Sequence, residues 1–301
     1  MAGAFALCAV MVPAVTSCGD DNDEPGNGGS AVVMDGTRLT SINNALIQYD
    51  SEGRVARFGS RSDYGEIDYR NGILHLSDDD EYGDMNVRFN GAGYISQLSQ
   101  DWDYEDDGER WQGSGKATFS YDGDGHLVKV NISSSESYRD YEDGESGKYT
   151  EEYTVDLSWR NGNLMTITQR GEENEDGDRE RWEEVYDLTY NLQENRYLQP
   201  TISQFESILD ESEYTILACA GLFGIGSELL PSKIVESDDD GYTHTTNLTF
   251  NLNANGTIAS ERDNYNTYIY GYSDAPDTRA AAEFPKSKKA GLFRTHRNAR
   301  R

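Results

Sequence analysis

Residues 117–132, Ala-Thr-Phe-Ser-Tyr-Asp-Gly-Asp-Gly-His-Leu-Val-Lys-Val-Asn-Ile, alternate apolar and polar side chains on both sides of one break. Ala117, Phe119 and Tyr121 fall on one face before the break; Val128, Val130 and Ile132 do so after it. A period of two puts alternate side chains on opposite faces of a strand. The Asp122-Gly123-Asp124-Gly125 break supplies residues that tolerate the positive φ of a tight reversal. The stretch therefore predicts a β-hairpin.

The same unit recurs outward in both directions. Residues 46–50 turn at Ser51-Glu52-Gly53 and return over 54–58. Residues 65–69 turn at Asn71-Gly72 and return over 73–76, and 85–89 turn at Gly91-Ala92-Gly93 and return over 94–98. Further on, 155–159 turn at Asn161-Gly162 and return over 164–167, and 186–190 turn near Gln193-Glu194-Asn195. Residues 248–250 turn at 253–256 and return through Ile258, and 268–272 read as a last strand. About 14 strands follow, in an all-β, up-and-down antiparallel meander. Their spacing is too irregular for a fixed-period solenoid. The connections at 77–84, 101–109, 140–146, 172–178 and 238–241 are acidic and read as long loops. Short turns then lie at one edge and an acidic rim at the other.

An open sheet of that width is uncommon, and closure removes both edges. A barrel so wide leaves a lumen that wall side chains alone do not fill. Residues 201–226 are the most apolar internal stretch, and Thr201 is placed to cap a helix carrying Phe205, Ile208 and Leu209. This insertion is either a plug inside the sheet or a crossover on its surface. Cys219 within it reads as a small buried hydrophobe rather than a nucleophile.

Composition narrows the function. Fifty-five acidic residues against 26 basic give a formal charge of −29, which repels nucleic acid. Twenty Tyr and 4 Trp suit partly buried strands. Three cysteines give no disulfide framework.

Residues 2–15 are apolar but too short to span a bilayer, and suit a signal peptide with a truncated basic leader. Val15-Thr16-Ser17-Cys18 resembles a bacterial lipobox. That resemblance implies cleavage after residue 17, lipidation of Cys18 and a membrane partner held through the lipid. Gly19-Asp20-Asp21-Asn22-Asp23-Glu24 resembles the acidic export tag of Bacteroidales surface lipoproteins, which implies an outer-membrane, cell-surface location. The expected organisation is a signal peptide over 1–17, a lipidated cysteine and acidic tether over 18–40, a β domain over 41–272 and a basic tail over 273–301.

Two family resemblances follow from the hairpins. Gln48-Tyr49-Asp50-Ser51-Glu52-Gly53-Arg54-Val55 and Ser120-Tyr121-Asp122-Gly123-Asp124-Gly125-His126-Leu127 resemble the Tyr-Asp repeats of shell-forming toxin and adhesion proteins. The equivalent positions elsewhere carry Arg70, Asn90, Arg160, Asn191 or Asn251. Residues 41–272, including Leu229-Leu230-Pro231-Ser232-Lys233-Ile234 after the insertion, resemble a lipoprotein domain family of unknown function described as having a porin-like fold. That resemblance implies a closed or nearly closed porin-like barrel and carries over no catalytic residue. Arg57, Lys129 and Asp156 interrupt the strands, so membrane insertion is not expected.

Two constellations are candidates for chemistry. Glu172, Asn174, Asp176 and Glu183 place oxygen ligands at EF-hand-like offsets around Gly177, a candidate calcium site. No cofactor is expected apart from that calcium. Trp102, Trp111, Trp182 and Tyr104 lie beside acids such as Asp103 and Asp107, a mixture that suits glycan stacking. Cross-strand aromatic pairing is the alternative reading of the same rings. The four histidines accompany no nucleophile signature, and no phosphate loop or zinc spacing is present. The expected function is a non-catalytic binding or interaction module, with glycans as ligand. A structural envelope component and a glycosidase-like enzyme are the alternatives.

Overall fold

The computed structural model describes residues 37–273, apart from 61–63, 79–80, 107–108, 141–144 and 210–211. It contains 17 antiparallel strands. Five short ones come first: β1 (Arg38–Ile42), β2 (Ala45–Tyr49), β3 (Val55–Gly59), β4 (Tyr64–Asp68) and β5 (Ile73–Asp78). The next is β6 (Glu81–Phe89), and then the long ones β7 (Ile95–Asp106), β8 (Glu109–Tyr121), β9 (Leu127–Asp140), β10 (Ser146–Arg160), β11 (Asn163–Glu175) and β12 (Asp178–Glu194). Helices α1 (Ile202–Glu206) and α2 (Ser212–Cys219) follow. The chain ends in β13 (Leu229–Asp238), β14 (Thr243–Asn247), β15 (Thr249–Leu252), β16 (Ile258–Arg262) and β17 (Thr267–Ser273).

Successive strands pair side by side, and β17 returns to pair with β1, Arg38 opposite Ser273 and Ile42 opposite Tyr270. The ring is closed except for one change of partner. β14 pairs with β13, and β15 pairs with β16. Between them Leu248 donates its N–H to Ser232 O at 2.9 Å. The three strands beyond the expected 14 are β1, β13 and β14. β1 is rich in Thr and Ser, β13 carries Pro231 and β14 is Thr-His-Thr-Thr-Asn, so none shows an alternating apolar face.

The acidic segments expected as long loops at 77–84, 101–109 and 172–178 are strand over most of their described residues, and of 140–146 Asp140 and Ser146 are strand while 141–144 lie outside the described residues. Glu105 pairs with Arg110, Ser146 with Arg139, and Glu175 with Asp178 across a turn in which Asp176 and Gly177 both have positive φ. Local propensity disfavours Asp and Glu in strands, and cross-strand partners override it. On the outer face Lys129–Asp156–Arg170–Glu183 forms one chain of ion pairs, and Arg179 and Arg181 hold Glu172.

The Tyr-Asp repeat acquires a local explanation. In 50–54, 90–94, 122–126, 238–242 and 253–257 the first residue's N–H bonds to the carbonyl of the fifth, and the fourth residue, a glycine at positive φ, bonds back to the first. Asp50, Asn90 and Asp122 also accept the third and fifth N–H groups through the side chain. Asn serves as well as Asp, which accounts for the drift to Asn90. The aromatic residue near the end of the strand has a second role. Tyr69 donates to Val55 O, Tyr121 to Ile95 O, Trp159 to Leu127 O, Tyr190 to Leu164 O and Tyr272 to Ile258 O. Each ties the end of one strand to the start of the strand before it. Tyr121→Phe is expected to cost about 1–2 kcal/mol, because it strips a 2.6 Å hydrogen bond from a sheltered carbonyl. Urea unfolding reads the loss, and Tyr104→Phe at the exposed far end serves as the near-neutral control.

The insertion is a plug. Phe223 packs at 4.9 Å against Phe119 of β8, Tyr214 donates to Met85 of β6, and Gln169 of β11 donates to Ser207 O. Strands from several parts of the ring thus touch one segment, which must lie within it. Leu217, Ala218, Cys219, Leu222 and Phe223 are buried. At the tight-turn end the segment is stitched to the wall: Ile95 N–H to Leu222 O, Ile225 N–H to Gly125 O and Glu228 N–H to Gly162 O. Cys219 is a free, buried thiol whose ionisation is pushed well up by burial, as a small core residue requires.

Thr201 is the N-cap of α1, but its side chain makes no cap hydrogen bond. The cap comes from β16 instead: Glu261 accepts Ile202 N–H at 3.1 Å, Ser203 N–H at 3.0 Å and the Tyr270 hydroxyl at 2.6 Å.

Candidate functional site

The six strands β7 to β12 are 12 to 17 residues long, whereas β1–β5 and β14–β17 have 4 to 7. They rise on one side beyond the plugged part as a wall. Its two faces follow from alternation. Leu98, Ala117, Val130, Val155, Leu157, Ile167 and Leu188 are buried against the core, so residues of the same parity further along continue the inner face.

Trp102, Tyr104, Trp111 and Trp182 all fall on that inner face. Trp102 stands opposite Gly113, and a β-carbon built there would lie 2.3 Å from the indole, so the ring lies flat across the neighbouring strand. Trp182 covers Gly171 and Tyr138 covers Gly147 in the same way. Only glycine admits this close approach. Tyr104, Trp111 and Tyr138 form a stacked row, with centroids 6.4 and 5.2 Å apart, and Tyr153 packs 5.8 Å from Trp182. The rings pair across strands, and the same rings line one surface. Gly113→Val is expected to cost about 2–3 kcal/mol and to drive the Trp102 ring off the wall, because the new methyls meet the indole and Ser135 O. Near-ultraviolet circular dichroism and urea unfolding read both effects.

Asp103 does not belong to this surface. It lies on the outer face, gripped by Arg110 at 2.8 Å and Gln112 at 2.9 Å. Asp107 lies outside the described residues, as do Cys18 and the basic tail. The acids on the inner face are ones the sequence did not single out: Glu136, Glu151, Glu173, Glu184 and Glu236. In the ladder Gly113 faces Glu136, and Glu136 faces Tyr149. One step along, Ser134 faces Glu151, and Glu151 faces Glu173. Burial and the nearby charges of Glu151, Glu173 and Glu175 push the Tyr149 phenol up. Burial and the charge of Glu184 raise Glu236, against the opposing pull of His244. A period-two count from the buried positions would have found these acids, had the segments been taken as strand.

The calcium reading is not supported by geometry. Glu172 is engaged by Arg181 at 2.7 Å and Glu183 by Arg170 at 2.6 Å, while Asp176 accepts Lys148 N–H and Asn174 accepts Gly177 N–H. The four serve a hairpin, not an ion loop, because a two-residue turn replaces the expected twelve-residue one. Among the described residues only Asp122, Asp124 and His126 bring three such ligand atoms within 4.8 Å of one another. There Asp122 already caps the turn and binds His126 Nδ1 at 2.9 Å. Partial burial works against its ionisation, and the His126 bonds outweigh it, so its carboxyl sits below the ordinary range.

A nearly closed antiparallel meander accords with the porin-like fold that the family comparison names. The model of the domain of unknown function (DUF4595) with porin-like fold matches residues 47–260. The chain belongs to that family. The DUF4595 match stops short of β1 and β17, the strands whose pairing closes the ring. Among solved structures, a porin-like protein from Bacteroides vulgatus ATCC 8482 is similar at 14% identity and a TM-score of 0.49, covering 79% of this chain and 99% of that one. A porin-like protein from Bacteroides uniformis ATCC 8492 is similar at 12% identity and a TM-score of 0.27, covering 69% of this chain and 94% of that one. No curated protein matches the chain.

Proposed function

We propose that this DUF4595 protein is a lipid-anchored, non-catalytic glycan-binding module of the outer membrane whose ligand face is the inner wall of β7–β13. The observation that carries the reading is the set of aromatic rings laid flat over glycines beside carboxylates. Flat rings offer a stacking face to a sugar, and carboxylates accept from its hydroxyls.

The topology supports a tethered barrel rather than an inserted one. A spanning barrel turns an apolar band outward. Here the outward residues of β8–β12 include Arg110, Gln112, Lys129, Asp156, Arg170, Glu172 and Glu183. Arg38 and Ser273 are paired at the plugged end, so an anchor at Cys18 would hold that end toward the membrane and leave the wall facing away.

A glycan array probed with the purified chain tests the ligand class; signal above a Trp102→Ala, Trp182→Ala control is expected, and a blank array overturns the reading. For the anchor, Cys18→Ala is expected to move the protein from the membrane fraction to the soluble one. Unchanged partitioning would refute lipidation.

A further inference from the structure

Charge on the long strands is sorted by face. Outward positions mix Lys and Arg with Asp and Glu in ion pairs. Inward positions of β7–β13, among the described residues, include Glu136, Glu151, Glu173, Glu184 and Glu236 and no lysine or arginine. The same strands contribute both faces, so overall acidity does not explain the difference. Inward carboxylates in a sheltered wall repel an anion and favour a cation. Flat indole and phenol faces favour a cation as well, or a sugar ring.

Resting on the glycan reading above, we infer that the inner wall recognises a glycan carrying free amino groups. Its rings stack on Trp102, Tyr138 and Trp182, and its ammonium groups meet Glu136 and Glu173, with the buried Glu151 between them adding to the negative field. Adjacent strands are about 4.8 Å apart, so the Trp102 platform and Glu136 lie within roughly 10 Å, a distance a short oligomer bridges. The negative surroundings of Tyr149, between these carboxylates, accord with the same field.

Calorimetric titration of the full chain with a β-1,4-linked glucosamine hexamer, and with its fully N-acetylated counterpart, tests this directly. The two probes share a backbone and differ in charge. The free-amine hexamer is expected to bind about tenfold tighter at low salt, with the advantage shrinking as salt is raised. A Glu151→Gln, Glu173→Gln chain is expected to lose that advantage, and an outer-face Glu172→Gln, Glu183→Gln chain to keep it. Equal affinity for the two hexamers overturns the charge inference and leaves the glycan reading standing. Binding of neither overturns the charge inference, and the glycan reading then stands or falls on the array. Equal losses from the inner and outer variants overturn the assignment to the inner wall.

Discussion

Phe223→Ala is expected to lower the unfolding free energy by about 3–5 kcal/mol, a large share of what a domain this size possesses. Phe223 is fully buried in the lumen, tilted at 58° against Phe119 and edge-on to Tyr214 at 85°. The backbone on either side is fixed to the turns through Ile95, Gly125 and Gly162, so the wall has little freedom to close over the vacancy. Loss of transfer free energy and the residual cavity therefore add. Equilibrium unfolding in urea measures the change, and Leu192→Ala, on a side chain 94% exposed, is the control expected to stay within about 0.5 kcal/mol. A cost near that of the control would mean the plug does not share the barrel's folding core.

The second large effect is at Glu261. Glu261→Ala removes the acceptor of two N–H groups of α1 and of the Tyr270 hydroxyl at a fully buried site. Each donor left without a partner costs about 1–3 kcal/mol, so a total loss of about 3–5 kcal/mol is expected. Glu261→Gln keeps one acceptor and should lose less. The pair also gives a pH signature. Burial raises the Glu261 pKa above its ordinary value of 4.5, against the lowering by its hydrogen bonds. An acid with a raised folded pKa holds its proton more tightly when folded. Its contribution to stability is then largest below the unfolded value and falls as pH climbs through the folded one. Wild-type stability relative to Glu261→Gln should therefore decline with rising pH from about 4.5 upward. A flat difference across that range would show that the carboxyl titrates alike in both states.

The hairpins around Asp50, Asn90 and Asp122 were legible because their signal is local. An alternating run, an Asx acceptor and a glycine lie within a few residues of one another, and so do the bonds they make. The apolar insertion was legible as something to be buried, but its place was not, since inside and across the mouth give the same pattern. The acidic segments at 77–84, 101–109 and 172–178 read as loops in the sequence because what makes them strands is not in them. Arg170 faces Glu183 across a turn, and Lys129 reaches Asp156 on another strand. Read as loop, Asp103 stands among the ligand candidates; as strand, it turns outward and Glu136 and Glu151 turn inward.

The sequence by itself determined the antiparallel meander, the tight-turn end and the presence of a core segment between β12 and β13, because two-residue periodicity and turn chemistry act between near neighbours. Tertiary structure decided closure through β1 and β17, the position of the plug, the Glu261 cap and the face on which each acid stands. Those depend on partners tens to hundreds of residues away, whose register emerges only when the ring is complete.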